Sequence, residues 1–221
     1  MKKARDSEKI RKEKERHPER IWMDHGLCYL TIEDGECVLH DECLSVTRSP
    51  DVLLWFPIVD RGQSVPEGTL IGKPTVPWFE LQRQLANDAD FLFWFAQYPR
   101  KFEEFVAGMY QMDGWNDVIL TPPNGDYGRD VIATRHGSCS VRMLDSVKAY
   151  SRGKLVRHTD VRDMFGVICA DPRASKGAVT TTSDFEPRIA DSPLLSPYIP
   201  YRLELRNGAQ VLEWLKRLLP K

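Results

Sequence analysis

The sequence predicts an α/β fold in which a mixed central sheet is flanked by helices, with a small β-rich module ahead of it. Three observations predict it. After Gly114 the apolar spacing switches from the 3.6-residue period of an amphipathic helix to the two-residue period of strands. Helix-like and strand-like runs then follow in the order α-β-β-β-α-β-α-β-α, which suits a mixed sheet covered by helices. A chain of 221 residues with 42% hydrophobic content is also enough for one ordinary core and a small appended module.

The elements can be justified in order. Residues 1–21 are crowded with Lys, Arg and Glu, cannot bury a face, and read as a charged arm, either disordered or a salt-bridged helix. Residues 22–76 read as the β-rich module. Here LCYLTI and CVLH flank Asp34-Gly35, a two-residue hairpin signal, and Val52 to Val59 is a further strand-like run closed by a Gly/Pro-rich stretch. Cys28, Cys37, His40 and Cys43 have the chemistry of zinc ligands. Their spacing lacks paired knuckles, however, and a two-residue hairpin separates Cys28 from Cys37 in register, so buried free cysteines account for them better.

Residues 77–98 read as a helical connector, with helix-compatible spacing from Trp78 to Phe95. The cluster Phe91, Phe93, Trp94, Phe95 and Tyr98 is costly to leave in water, which assigns it to packing rather than to base stacking. Residues 99–221 form the main domain. Pro99 opens an amphipathic helix carrying Phe102, Phe105, Val106 and Met109. Strands are expected at 117–121, 130–134 and 140–150, a helix from His158 to Cys169, and a buried strand at 176–182. A short helix from Phe185 to Ala190 follows, capped by Ser183 or Asp184, and its start would also suit a phosphate. A last strand at 201–205 precedes a terminal helix capped by Asn207.

Composition bounds the function. Thirty-one basic residues stand against 32 acidic ones, so the bulk charge of -1 neither supports nor excludes a nucleic-acid partner; a local basic patch is what meets phosphate. Five scattered cysteines without a C-x-x-C pair match a reduced, intracellular protein. The charged N-terminus is unlike a secretion signal and no apolar run reaches membrane-spanning length, so a soluble, cytoplasmic protein with no membrane partner is expected.

Three features converge on chemistry. The turn-rich loop from Asn124 through Gly125, Asp126, Tyr127, Gly128 and Arg129 delivers Asp130 to a strand start. The next strand carries Ser146-Val147-Lys148, and the preceding helix carries Glu103 and Glu104. A carboxylate and a lysine on adjacent strand ends can hold a divalent cation and set an ammonium beside it, as phosphodiester hydrolysis requires. On spacing alone, a surface cross-strand ion pair describes the same residues.

The run PRKFEEFVAGMYQMDGWNDVILTPPNGDYGRDVIATR, with VRDMFGV from Val161, KGAVTTTSDF from Lys176 and RNGAQVL from Arg206, resembles the Mrr-like restriction endonuclease domain of the PD-(D/E)xK nuclease superfamily. The shared pattern is a Phe-Glu helix, a Gly-Trp/Tyr turn, a Gly-Asp-x-Gly-x-Asp loop and a Glu/Gln-x-Lys strand, in order over roughly 120 residues. The resemblance implies a restriction-endonuclease-like core and metal-dependent hydrolysis of DNA in restriction or anti-phage defence. It makes Asp130 the main metal-binding carboxylate, with the Val147 carbonyl beside it, and Lys148 the catalytic lysine. Glu103 would assist through metal-bound water or a second metal, and Asp126 from the outer shell. Mg2+ is the expected cofactor, or Mn2+, since oxygen ligands suit a hard cation.

The sequence departs from the family at Ser146, where Glu or Gln is usual. Strand alternation puts residue 146 on the face of Lys148 and turns Asp145 away, so Asp145 substitutes only through a bulge. Ser146 therefore enters the catalytic set as a weak, neutral ligand. It also motivates an alternative, a catalytically degenerate DNA-binding or assembly subunit, while an RNA-cleaving nuclease would use the same residues. Arg129, Arg135, Arg142, Lys154, Arg157 and Ser183 are candidate phosphate contacts, with solvated surface charge as the competing account of the basic ones. Cutting both strands from one site per chain calls for a homodimer or transient dimer, and the N-terminal module is available for a protein partner.

Overall fold

The computed structural model describes residues 21–22, 29–33, 36–39, 54, 56–124 and 127–218. The chain divides into two units, Met1–Trp55 and Phe56–Lys221.

In the first unit, β1 (Ile21–Trp22), β2 (Tyr29–Glu33) and β3 (Glu36–Leu39) form an antiparallel sheet in that order. Glu33 pairs with Glu36, so the expected two-residue hairpin is present. Cys37 lies opposite Ile32, not Cys28. Cys28, His40, Cys43 and the charged arm lie outside the described residues.

The second unit is built on a seven-stranded sheet. Its strands are β4 (Val59–Val65), β5 (Gly68–Pro74), β6 (Asp117–Leu120), β7 (Val131–Arg135), β8 (Val141–Lys148), β10 (Lys176–Thr181) and β12 (Leu203–Arg206). Two short strands, β9 (Leu155–Val156) and β11 (Asp184–Phe185), pair separately and in parallel. The order is β12-β10-β8-β7-β6-β5-β4, with β10 parallel to both β8 and β12 and the remaining pairs antiparallel. The predicted mixed sheet is therefore present. Its β4–β5 hairpin, which the sequence groups with the β-rich module, hydrogen-bonds into the central sheet through β6, and the division of the chain falls at Trp55/Phe56 rather than at 76/77.

Helices α1 (Val76–Asn87), α2 (Pro99–Met112), α3 (His158–Ala170) and α4 (Gly208–Arg217) surround the sheet. Alternation along the strands divides its two faces. One carries Ile132, Leu144 and Val179, which pack with Val161, Met164 and Ile168 of α3. Residues Val131, Asp145 and Thr180 point to the other face, where Tyr110 of α2 and Arg206 of β12 reach Asp145. The helical connector belongs to this unit's core: Trp78 stacks on Phe105 at 5.2 Å and donates from Nε1 to its carbonyl at 3.1 Å. Gly108 makes that possible, since a Cβ there would strike the Trp78 indole. Of the aromatic cluster, Phe91 and Phe95 are buried, Phe93 and Tyr98 are half-buried and Trp94 is exposed, so the packing account holds for the first two.

One element differs. No helix spans 185–190: Asp184 and Phe185 pair with β9, and turns follow with Arg188 at φ 67°. Pro187 disfavours helical geometry at Glu186, and the Asp184 carboxylate bonds the next amide, offering the backbone a local alternative. Ser183 and Asp184 thus have no helix to cap there.

Candidate active site at the ends of β7 and β8

Asp130 sits one residue before β7 and is held from several sides. Its amide donates to the Asp145 carbonyl at 2.8 Å, and its carbonyl accepts from the Thr121 amide at 3.1 Å and hydroxyl at 3.0 Å. Its side chain then extends the ladder: Oδ2 accepts the Val147 amide at 2.6 Å and the Ser146 hydroxyl at 3.5 Å. The residue is 8% exposed. An amide bonded to a carboxylate is a strong, orienting contact, so the carboxylate is fixed against β8.

Ser146 and Lys148 share the α3 face with Asp130, as side-chain alternation predicts. Thr181 Oγ1 and the Thr182 amide bond the Lys148 carbonyl at 2.8 and 3.2 Å, fixing the strand end. The Lys148 side chain is half-buried and its ammonium forms no ion pair among the described residues. Glu103 lies on α2 and pairs with Arg100, whose other terminal nitrogen donates to the Thr121 carbonyl at 2.6 Å. Since Thr121 also holds Asp130, Arg100 ties Glu103 to the same strand end. Glu104 serves elsewhere, buried between Arg61 at 2.8 Å and Lys101 at 3.0 Å. Asp126 lies outside the described residues.

Asp145 does not substitute for the missing carboxylate. It is buried on the opposite face, where Oδ2 accepts from Tyr110 at 2.8 Å, Thr180 at 2.8 Å and Arg206 at 3.2 Å. Burial raises its pKa, with the Arg206 charge and the hydroxyl bonds opposing. Burial likewise pushes the Tyr110 hydroxyl well above its ordinary value. Arg206 in turn lies over the rings of Trp214 and Tyr110, at 4.7 and 5.4 Å from their centroids. No bulge interrupts β8 between its pairings with β7 and β10.

The candidate phosphate contacts separate. Arg129 and Arg142 are largely buried among carboxylates: Arg129 meets Asp171 at 2.9 Å, and Arg142 meets Glu67 at 2.6 Å. Arg135 is at the far end of β7 from Asp130, over the Trp115 ring at 4.8 Å. Ser183 donates its amide to Thr181 Oγ1, and its carbonyl accepts the Gly208 amide. Exposed Lys154 lies beyond β8, its ammonium 4.0 Å from the Tyr150 ring centroid, and exposed Arg157 precedes α3. Arg100 and Thr121 are absent from the sequence-based set. Arg100 sits three residues before Glu103, a helical pairing distance that was available as a signal.

The donors around Asp130 are all oxygen: one carboxylate, the Ser146 hydroxyl, and the Val147 carbonyl, which in a strand faces the same side as the amide that bonds Asp130. That set fits a hard divalent cation whose remaining positions are filled by water. No group of three His, Cys, Asp or Glu able to hold a metal is formed among the described residues.

Residues 96–214, more than half of the chain, match the family model described as a restriction endonuclease, the Mrr catalytic domain. Among solved structures the chain is similar to the DNA modification-dependent restriction endonuclease AspBHI, at TM-score 0.43 and 17% identity over 66% of this chain and 36% of that one. It is also similar to the MspJI restriction endonuclease in complex with a 27-mer oligonucleotide, at TM-score 0.37 and 17% identity over 66% and 33%. The chain thus spans about a third of the length of these two. No curated protein matches it.

Proposed function

We propose that this chain, which belongs to the Mrr-type restriction endonuclease family, cleaves DNA phosphodiester bonds at the Asp130–Lys148 site with a divalent metal ion. The observation that carries the reading is the oriented, buried Asp130 carboxylate on the same sheet face as Ser146 and Lys148. Asp130 and the Val147 carbonyl would hold Mg2+ or Mn2+, with Glu103 in support once it parts from Arg100. A bound cation would polarise the scissile phosphate and lower the pKa of an attacking water.

The remaining work falls to the chain's own groups. Lys148 sets a positive charge where the pentavalent phosphate develops negative charge, and orients the attacking water. Ser146 donates to Asp130 and steadies its rotamer rather than contributing charge. Among the proposed phosphate contacts Arg129, Arg135, Arg142, Lys154 and Ser183, exposed Lys154 beyond β8 is favoured, because Arg129 and Arg142 already serve carboxylates. Restriction of foreign DNA, a cytoplasmic setting and pairing of two copies to cut both strands belong to the same reading. No described helix is long and apolar enough to cross a membrane.

A second reading has one specific observation behind it. Ser146 supplies a hydroxyl where a carboxylate would add charge, which favours a DNA-binding subunit with the chemistry lost. The deciding experiment is cleavage of methylated and unmethylated plasmid with Mg2+ or Mn2+, by wild type, Asp130→Ala and Lys148→Ala. Cleavage by wild type and its loss in both variants supports the nuclease. Intact DNA binding with no cleavage by wild type in either metal supports the subunit.

A further inference from the structure

Between the 127–129 loop, which leads into Asp130, and α3 lies a groove of about 730 Å3. We propose that it takes one unpaired nucleotide of the DNA strand next to the scissile phosphate, with the base over Tyr127 and phosphate on Arg162 and Arg173. The proposal rests on the nuclease reading for the identity of the strand and for its position.

Several independent features agree on a nucleotide. The volume falls within the roughly 300–1,000 Å3 of small-molecule sites. Gly166, Val167, Ala170 and Pro172 give an apolar floor suited to the face of a base, and the polar lining is Arg129, Arg162 and Arg173 with Asp163 and Asp171. Tyr127 lines the groove, yet the residue is 80% exposed, and its backbone has φ 54°, a conformation a tyrosine rarely adopts. The loop presents that ring while Gly128, at φ 78°, packs against Val167: a Cβ there would lie 3.2 Å from Val167 Cγ2. Two residues after Gly128 the same loop ends in Asp130, so the ring and the proposed metal carboxylate share one short, braced segment.

The charge balance favours an anion. Among the described residues Arg129, Arg142 and Arg173 share two carboxylates, Glu67 and Asp171, with Arg173 meeting Glu67 at 2.7 Å and Asp171 at 3.5 Å. Arg129 and Arg142 are largely buried in these pairs, which leaves Arg173, whose side chain is 62% exposed, as the member of the cluster open to the groove. Arg162 adds an exposed guanidinium on α3, next to Asp163. A backbone phosphate would meet the exposed guanidiniums of Arg162 and Arg173, and planar guanidiniums bind it in the bidentate manner that lysine does not offer.

Gly166 provides a direct test, because a Cβ added there meets nothing within 4 Å and a larger side chain would enter the groove. The full chain is titrated in EDTA against a labelled single-stranded DNA carrying 2-aminopurine, reading anisotropy and base fluorescence. Gly166→Phe, Arg162→Glu and Tyr127→Ala are each expected to weaken binding about tenfold or more, with melting temperatures near that of wild type. Tyr127→Ala should also abolish the 2-aminopurine quenching that stacking produces. Wild-type affinity in folded Gly166→Phe and Arg162→Glu would overturn the proposal, as would unchanged quenching in Tyr127→Ala. Because the readout is binding without metal, loss of affinity in these variants supports the groove even if wild type proves unable to cleave. Cleavage that depends on Asp130 beside unaffected groove variants would discard the groove and keep the nuclease.

Discussion

Ser146 shows how much depends on a single side chain. Its hydroxyl lies 3.5 Å from Asp130 Oδ2, on the face of Lys148, so a glutamate there would bring a second carboxylate to the site. Two carboxylates so close repel in the absence of a cation and bind one better in its presence. Ser146→Glu is therefore expected to melt below wild type in EDTA, by about 1–3 kcal/mol of stability, and to recover with Mg2+ more than wild type does. Differential scanning fluorimetry across a Mg2+ series reads both effects, and an unchanged Mg2+ response would remove the metal from this position. Strand parity in the sequence already separates Ser146 from Asp145, because alternation is a local property. The fate of Arg129 and Arg142 was not legible. Their partners Glu67 and Asp171 are remote in sequence, and only the folded sheet brings the β4–β5 turn to the end of α3. Tyr110→Phe tests the opposite face: it removes one of three donors to the buried Asp145, and a loss of about 1–2 kcal/mol in urea unfolding is expected. A neutral result would mean that Thr180 and Arg206 suffice.

The elements that the sequence made legible are those with a strong period and a clear boundary. Pro99 begins α2 and buries Phe102, Phe105, Val106 and Met109; Asn207 caps α4 by accepting the Gln210 amide at 3.0 Å. The β4–β5 hairpin was misplaced because its strands show no alternation: β4 is almost wholly exposed after Val59, and β5 is an inner strand hydrogen-bonded on both sides despite its mixed burial. Periodicity does not say which sheet a hairpin joins. The helix expected at 185–190 failed at Pro187, a local signal outweighed by the apolar spacing around it. Packing of α3 on β10 makes a paired prediction. A Cβ at Gly177 would clash with Ile168 and lie 2.8 Å from Met164 Cε, so Gly177→Ala should cost roughly 1–3 kcal/mol. Gly166→Ala, on the open side of the same helix, should stabilise by up to about 1 kcal/mol through helix propensity. Chemical denaturation of both variants checks the pair. Equal effects would mean that α3 does not press on β10 at Gly177.

At the scale of the whole molecule, the charge network around Asp171 couples the fold to pH. Glu67 and Asp171 join the β4–β5 turn, the loop before β7, the start of β8 and the segment after α3 through three arginines. Burial alone would raise the Asp171 pKa, but the Arg173 amide and the charges of Arg142, Arg173 and Arg129 outweigh it and hold it below its ordinary value. Glu204 behaves alike, with burial opposed by Arg206 and Lys176 and the pKa lowered overall. A carboxylate whose folded pKa is depressed contributes stability above its unfolded value and loses it as pH falls through the folded one. Asp145 has the opposite sign: its pKa is raised, so its contribution is complete below the unfolded value and is lost as pH rises. Glu186 is lowered as well, through the amide and ring of His158, so three lowered carboxylates among the described residues against one raised predict a melting temperature that falls as pH drops below about 4. Asp171→Asn should be less stable than wild type at neutral pH, because it leaves three arginines on one carboxylate, and should lose less stability on acidification. Melting curves of both proteins across this range at constant ionic strength decide it. Parallel slopes would mean that Asp171 is protonated alike in the folded and unfolded chains, and that the network braces the loop before Asp130 without coupling it to pH.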